Sequence, residues 1–180
     1  MEKLPTTPSS EPKRLEVIPD ARIPEGMDKL KHPIERPVKE LFGRLMDDGA
    51  VAFFNKLTDQ YGEEGAKLIA RQSCFDQGEL VLLGVSKLTI TELPKDIPDT
   101  VFEISAEKTH IKRIDVLPPK LEYLNISDSS VEEIPPEVFP VTLRILRCEG
   151  TPFSENEVKF DPKGFLEDLR EYAPDLRVWY

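Results

Sequence analysis

From Leu80 onward the apolar positions recur every 20 to 22 residues, and one alignment without internal shifts brings four segments into register. Starting the segments at Leu80, Val101, Leu121 and Leu143 places Leu83, Ile104, Leu124 and Leu146 at the fourth position. The sixth position then holds Val85, Ala106, Ile126 and Cys148, and the eleventh holds Ile90, Ile111, Val131 and Phe153. The fourteenth holds Leu93, Ile114 and Ile134 before the last segment departs with Asn156. On a short strand the first, fourth and sixth side chains can point one way, while the eleventh and fourteenth return from the opposite wall. The two sets enclose a core shared between neighbouring segments. The period is that of short leucine-rich repeats.

Between the predicted strands the chain passes through Leu93-Pro94 and Ile97-Pro98, then Leu117-Pro118-Pro119, then Ile134-Pro135-Pro136. Proline removes an amide donor and restricts its predecessor, so these returns exclude a helix and favour extended or polyproline backbone. The ninth position, where an asparagine often bonds the turning backbone, holds Leu88, Thr109, Ser129 and Thr151. Only the three hydroxyls can replace that ladder in part, which predicts irregular turns.

Upstream, Val38, Leu41, Phe42, Leu45 and Met46 keep the three-and-four spacing of one helix face, with Pro37 suited to a first turn and Asp48-Gly49 to a stop. Further stripes follow in Val51, Phe54 and Leu57, then in Ala66, Ile69 and Ala70 up to Cys74, with a break at Tyr61-Gly62. Residues 37–78 therefore read as helices capping the repeats of residues 79–156. In residues 157–180, Asp161 is a candidate N-cap, Pro162 a first-turn residue, and Phe165, Leu166, Leu169 and Tyr172 one helical face. The stretch Pro174-Asp175-Leu176-Arg177-Val178-Trp179-Tyr180 reads equally as a final strand or as an exposed aromatic contact. The fold class is thus an α+β solenoid: short repeats, parallel concave strands, an extended or polyproline convex side, and helical caps at both ends.

Seven of the 17 prolines precede residue 38, among Ser, Thr, Glu and Lys, so residues 1–36 read as a largely disordered tail. Its cluster Leu15, Val17, Ile18 and Ile23 could still lie extended on the folded part. The net charge of −10 argues against nucleic acid and anionic lipid as partners, since both require a basic footprint. No apolar run approaches the roughly 20 residues of a membrane span, and MEKLPTTPSS lacks the apolar core of a cleavable signal peptide. Cys74 and Cys148 have no metal-ligand spacing, which predicts two free thiols in a reducing compartment.

The entry Cys74-Phe75-Asp76-Gln77-Gly78-Glu79-Leu80-Val81-Leu82-Leu83-Gly84-Val85-Ser86-Lys87-Leu88-Thr89-Ile90-Thr91-Glu92-Leu93-Pro94 resembles the start of the repeats in bacterial type III secreted LPX-type effectors. Leu121-Glu122-Tyr123-Leu124-Asn125-Ile126-Ser127 and Val131-Glu132-Glu133-Ile134-Pro135 are similar to the repeats of that family. The resemblance covers residues 37–156. It implies a helical cap before the repeats, a secretion signal in residues 1–20, and action inside a host cell, with the bacterial cytoplasm as the alternative location. Several members carry a ubiquitin-ligase domain with a catalytic Cys-x-Asp motif, for which this chain leaves no room. Cys74-Phe75-Asp76 matches those letters, but its place before the repeats predicts a small core cysteine instead.

If the fourth and sixth residues face inward, the third, fifth and seventh face outward on the concave side. They are Leu82, Gly84 and Ser86; Glu103, Ser105 and Glu107; Tyr123, Asn125 and Ser127; and Ile145, Arg147 and Glu149. Tyr123 and Arg147 are hot-spot types, Leu82 and Ile145 would be exposed apolar residues, and the three glutamates predict a protein partner with a basic patch. Ser86, Ser105 and Ser127 read equally well as solvated surface. No catalytic, cofactor or metal site is predicted: His32, His110, Asp47-Asp48 and Glu132-Glu133 read as surface groups, and no glycine-rich phosphate loop occurs. The expected function is therefore non-enzymatic binding of a host protein. The alternatives are an immunity or regulatory protein occluding a basic partner, and the recognition part of a longer ligase effector.

Overall fold

The computed structural model describes residues 37–180; the predicted tail of residues 1–36, with Leu15, Val17, Ile18, Ile23 and His32, lies outside the described residues. In chain order the elements are β1 (Lys39–Leu41), β2 (Arg44–Met46), α1 (Asp48–Gln72), β3 (Cys74–Asp76) and β4 (Glu79–Gly84). They continue with β5 (Glu103–Ser105), β6 (Tyr123–Asn125), β7 (Ile145–Arg147), α2 (Pro162–Asp168) and β8 (Arg177–Trp179). Strands β3 to β8 form one sheet in sequence order, antiparallel at β3–β4 and parallel from β4 onward. The chain is a β-solenoid of about three turns.

The strand register matches the sequence alignment. Leu83 pairs with Ile104, Ile104 with Leu124, Leu124 with Leu146, and Leu146 with Val178. The first-, fourth- and sixth-position side chains are buried, as are the eleventh and fourteenth from Ile90 to Ile134. At roughly 1.5–3 kcal/mol for each fully buried aliphatic side chain, this shared core is the main source of stability. A second ladder ties the returns together: Ser130 N–H donates to Thr109 O (3.1 Å), Glu132 N–H to Lys112 O (2.8 Å) and Phe153 N–H to Val131 O (2.8 Å).

The prolines have a specific place in each return. The carbonyls of Pro98, Pro118 and Pro140 accept from the amides of Val101, Leu121 and Leu143, three residues on, at 2.9–3.1 Å. Each return thus closes with the same kind of turn before the next strand begins. The returns before β5 and β6 contain no helix, and the one before β7 contains only a 3₁₀ turn at Pro136–Val138.

The turn after each strand is more regular than the sequence suggests. The eighth-position residues Lys87, Lys108, Asp128 and Gly150 all have positive φ, at 60°, 56°, 57° and 70°. Among the ninth-position hydroxyls, Thr109 donates to Ala106 O (3.0 Å) and Thr151 to Cys148 O (2.7 Å), whereas the buried Ser129 hydroxyl has no partner. The left-handed residue is thus common to all four turns, and at the second and fourth a side-chain hook three residues back adds to the reversal that an asparagine would otherwise make.

The expected first helix is absent. Residues 39–46 form a hairpin in which Leu41 pairs with Arg44 across Phe42 (φ 54°) and Gly43 (φ 72°), a two-residue turn with both central residues left-handed. Asp47, expected as a solvated charge, is the N-cap of α1 and accepts from Ala50 N–H at 2.7 Å. The predicted helix stop is therefore a helix start. The break at Gly62 is present (φ 74°, ψ 169°), and Phe53, Phe54, Leu57, Ala66, Ile69 and Ala70 bury α1 against the first strands. At the other end Asp161 caps α2 through Gly164 N–H (3.0 Å), Phe165 packs edge-on against Phe153, and the final segment is strand β8. No helix among the described residues is long and apolar enough to cross a membrane.

Two measurements check this architecture. Gly150 has φ +70°, and an added Cβ would meet Asp128 Oδ1 at 2.6 Å, so Gly150→Ala is expected to cost about 1–3 kcal/mol in chemical denaturation. Lys87→Gly, at the same position of the first turn, is expected to be neutral or stabilising by up to about 1 kcal/mol. A Gly150→Ala protein as stable as the parent would contradict the left-handed assignment. Both cysteines are free; Cys148 is buried, and burial pushes its thiol up to about 12. Thiol reagent at mildly alkaline pH should label Cys74 in the native protein and Cys148 only after unfolding. Fast native labelling of both would place Cys148 outside the core.

Candidate functional site

The parallel register sets the outward side chains in rows that cross the strands, with neighbours in a row about 4.8 Å apart. The first row runs Leu82, Glu103, Tyr123, Ile145 and Arg177; the second runs Gly84, Ser105, Asn125, Arg147 and Trp179. Beyond the strands, Ser86, Glu107, Ser127 and Glu149 occupy the seventh position of each repeat. The predicted residues therefore share one face, and β8 adds two that the alternation pattern did not include. Trp179 is 58% exposed beside Arg147, and Arg177 stands beside Ile145. The signal for them was the aromatic end of the chain, which the sequence alone left open between strand and contact.

The face divides into braces and free groups. Ser86 and Ser105 share a hydroxyl hydrogen bond (2.9 Å), and Ser86 Oγ also accepts from Glu107 N–H (3.1 Å). Asn125 Nδ2 donates to Glu107 Oε1 at 2.6 Å, while Asn125 Oδ1 accepts from Ser127 N–H at 3.1 Å. Ser127 Oγ donates to Glu149 Oε2 at 2.7 Å, and Arg147 donates to Glu149 Oε1 at 3.1 Å. Each of these links except the one within the Asn125–Ser127 strand end and the Arg147–Glu149 pair joins neighbouring turns.

Asn125 and Ser127, expected to reach outward to a partner, are instead buried among these braces. Gly84 is covered as well: a Cβ there would meet Gln72 O at 2.2 Å, because the end of α1 lies over it and Ser73 Oγ accepts its amide (3.1 Å). Cys74, expected in the core, is exposed, since it opens the edge strand β3 opposite Leu82 and shares the outward side. His110, Glu132 and Glu133 are exposed as expected, the two glutamates facing Lys112 and Arg113 of the preceding turn.

The electrostatics follow the same division. Burial opposes the charge on Glu149, but the hydrogen bonds from Arg147 and Ser127 outweigh it and hold the carboxyl below its ordinary value. Arg147 is held charged by Glu149 first and by the Tyr123 hydroxyl second. Glu103 has no such compensation: burial between its neighbours pushes its carboxyl up. No protein-family model and no curated protein matches this chain. Among the described residues no group of three or more His, Cys, Asp or Glu side chains is placed to hold a metal ion. What the face offers is an open, hydrogen-bonded surface of mixed chemistry, with a depression of about 450 Å³ at its first turn lined by Gln72, Gly84, Ser86, Lys87, Ser105 and Glu107.

The raised Glu103 carboxyl has a signed consequence for stability. Its folded value lies above its unfolded value, so the folded state binds the extra proton, and the destabilising charge develops as pH rises through the folded value. Glu103→Gln is therefore expected to raise the denaturation midpoint at neutral pH. That advantage should fade as pH falls to the ordinary glutamate range, about 4.3. A gain that is independent of pH would show that ionisation is not its cause.

Proposed function

We infer that this protein is a non-enzymatic interaction module of the leucine-rich-repeat type, binding a protein partner on the strand face. The observation that carries this reading is the outward rows themselves: Leu82, Tyr123, Ile145, Arg147 and Trp179 stand on one side of one braced sheet, and Trp179 is 58% exposed. Tyrosine, tryptophan and arginine are the types that dominate binding energy, and a face whose geometry is already fixed loses little entropy on binding. In this reading α1 and α2 close the two ends of the repeat stack, where apolar core would otherwise be open to water.

The sequence resemblance gives the biological setting: a type III secreted effector of the LPX type, acting on a host protein. A reporter of translocation fused after residue 36 tests the setting, since it should enter host cells only from a strain with a working type III apparatus. The binding surface is tested separately. Full-length protein carrying Tyr123→Ala and Trp179→Ala should lose captured host partner at least tenfold relative to wild type, at unchanged denaturation midpoint. Val116→Ser, on a return where Val116 is 75% exposed, should retain it. The reverse pattern would move the site to the returns.

A further inference from the structure

Of the three carboxylates predicted on the strand face, two are already occupied. Glu107 takes the Asn125 amide, and Glu149 takes the Ser127 hydroxyl and the Arg147 guanidinium. Glu103 makes no hydrogen bond or ion pair with any described residue, although Leu82 and Tyr123 flank it in register and leave it only partly exposed. Among the described residues, the two arginines of this face do not reach it. Arg147 is committed to Glu149, and Arg177 lies three strands away in the same row, about 14 Å at the usual strand spacing.

We propose that Glu103 is the anchor for an arginine side chain of the protein partner, seated between Leu82 and Tyr123. The proposal rests on the strand-face reading and names the chemistry recognised there. A half-buried carboxylate without a partner is costly, and a cation brought by the partner removes that cost while gaining a charge-assisted hydrogen bond in a partly dry site. Arginine fits better than lysine for three reasons. Its guanidinium is less strongly hydrated, its planar fork matches a carboxylate, and it stacks on an aromatic ring. Tyr123 supplies that ring, its hydroxyl engaged by Arg147, and Leu82 supplies an apolar wall for the arginine stem.

The burial that pushes the Glu103 carboxyl up agrees with this, since an incoming guanidinium would lower it again. The neighbouring positions explain why the anchor is single. Ser105, in the next row of β5, is tied to Ser86, and Ile145, two strands on, offers only apolar contact.

A phage-displayed dodecapeptide library panned on the full-length protein tests the anchor and the underlying reading separately. The expected peptides share an arginine, weaken at least tenfold when it is replaced by citrulline, and weaken equally on Glu103→Gln. Peptides that need Tyr123 and Trp179 but are indifferent to Glu103→Gln would overturn the anchor and leave the strand-face reading standing. Peptides indifferent to all three substitutions would overturn both. A titration of N-acetyl-arginine amide, followed by carboxyl ¹³C resonances, tests the anchor even if panning enriches nothing. A saturable shift at Glu103, larger than at the exposed Glu122 and lost in Tyr123→Ala, supports the anchor. Equal shifts at both carboxyls overturn it.

Discussion

A single turn of this chain cannot cover its own apolar side chains, and the rest of the structure follows from that constraint. The row Leu83, Ile104, Leu124 and Leu146 is dry only because each strand is hydrogen-bonded to the next and each return lies against its neighbour, with the half-buried Val178 following on the last strand. Stability is therefore nearest-neighbour in character, and the two ends are the weak points. Before the first parallel strand, Phe53, Phe54 and Leu57 of α1 are buried, and after the last repeat strand Phe165 packs on Phe153, Leu169 is buried and β8 pairs with β7. Surface charges add less. The inter-turn pairs Lys108–Asp128 (3.7 Å) and Lys112–Glu132 (3.6 Å) are exposed, and such pairs contribute roughly 0–1 kcal/mol each.

The stacking constraint also decides what the strand face can be. Because the spacing of strands is set by backbone hydrogen bonds, the outward side chains have fixed neighbours whatever their chemistry. Residues that match across turns, such as Asn125 with Glu107 or Ser127 with Glu149, spend their polar groups on each other. Such neutral donors orient a carboxylate without neutralising it, and among the three glutamates of the face only Glu149 is paired with a cation, Arg147. Glu103 has no such match among the described residues.

The repeat was legible because its columns are dictated by burial, which a sequence records directly: Ile104, Ile111 and Leu124 are apolar for the same reason that they are inaccessible. The hairpin of residues 39–46 was not legible. Val38, Leu41, Phe42, Leu45 and Met46 satisfy a helical period, yet Leu45 is 61% exposed and the segment is decided by the left-handed pair Phe42-Gly43 and by Asp47 as a cap. A period in five apolar residues is weaker evidence than one turn residue in the right place. The outward face was legible in part. Alternation correctly put Leu82, Glu103, Tyr123, Ile145 and Arg147 on one side, but it contains no information on partners 18 to 22 residues away, which is where Asn125 and Ser127 find theirs.

The eighth-position column shows how such a fold tolerates sequence drift at its turns. Three of the four left-handed residues are Lys87, Lys108 and Asp128, which carry the steric cost that Gly150 avoids. That cost is offset because each of these residues is tied to the following turn: Lys87 N–H donates to Glu107 O (2.7 Å), Lys108 N–H to Ser127 O (3.0 Å) and Asp128 N–H to Glu149 O (2.7 Å). The strained residue is thus itself a link between turns. A conformation that would be unfavourable in an isolated turn becomes a rung of the ladder once a neighbour accepts its amide. The same ladder fixes where Glu103, Tyr123 and Arg147 stand, so the geometry of the strand face is set by turns that lie beyond it.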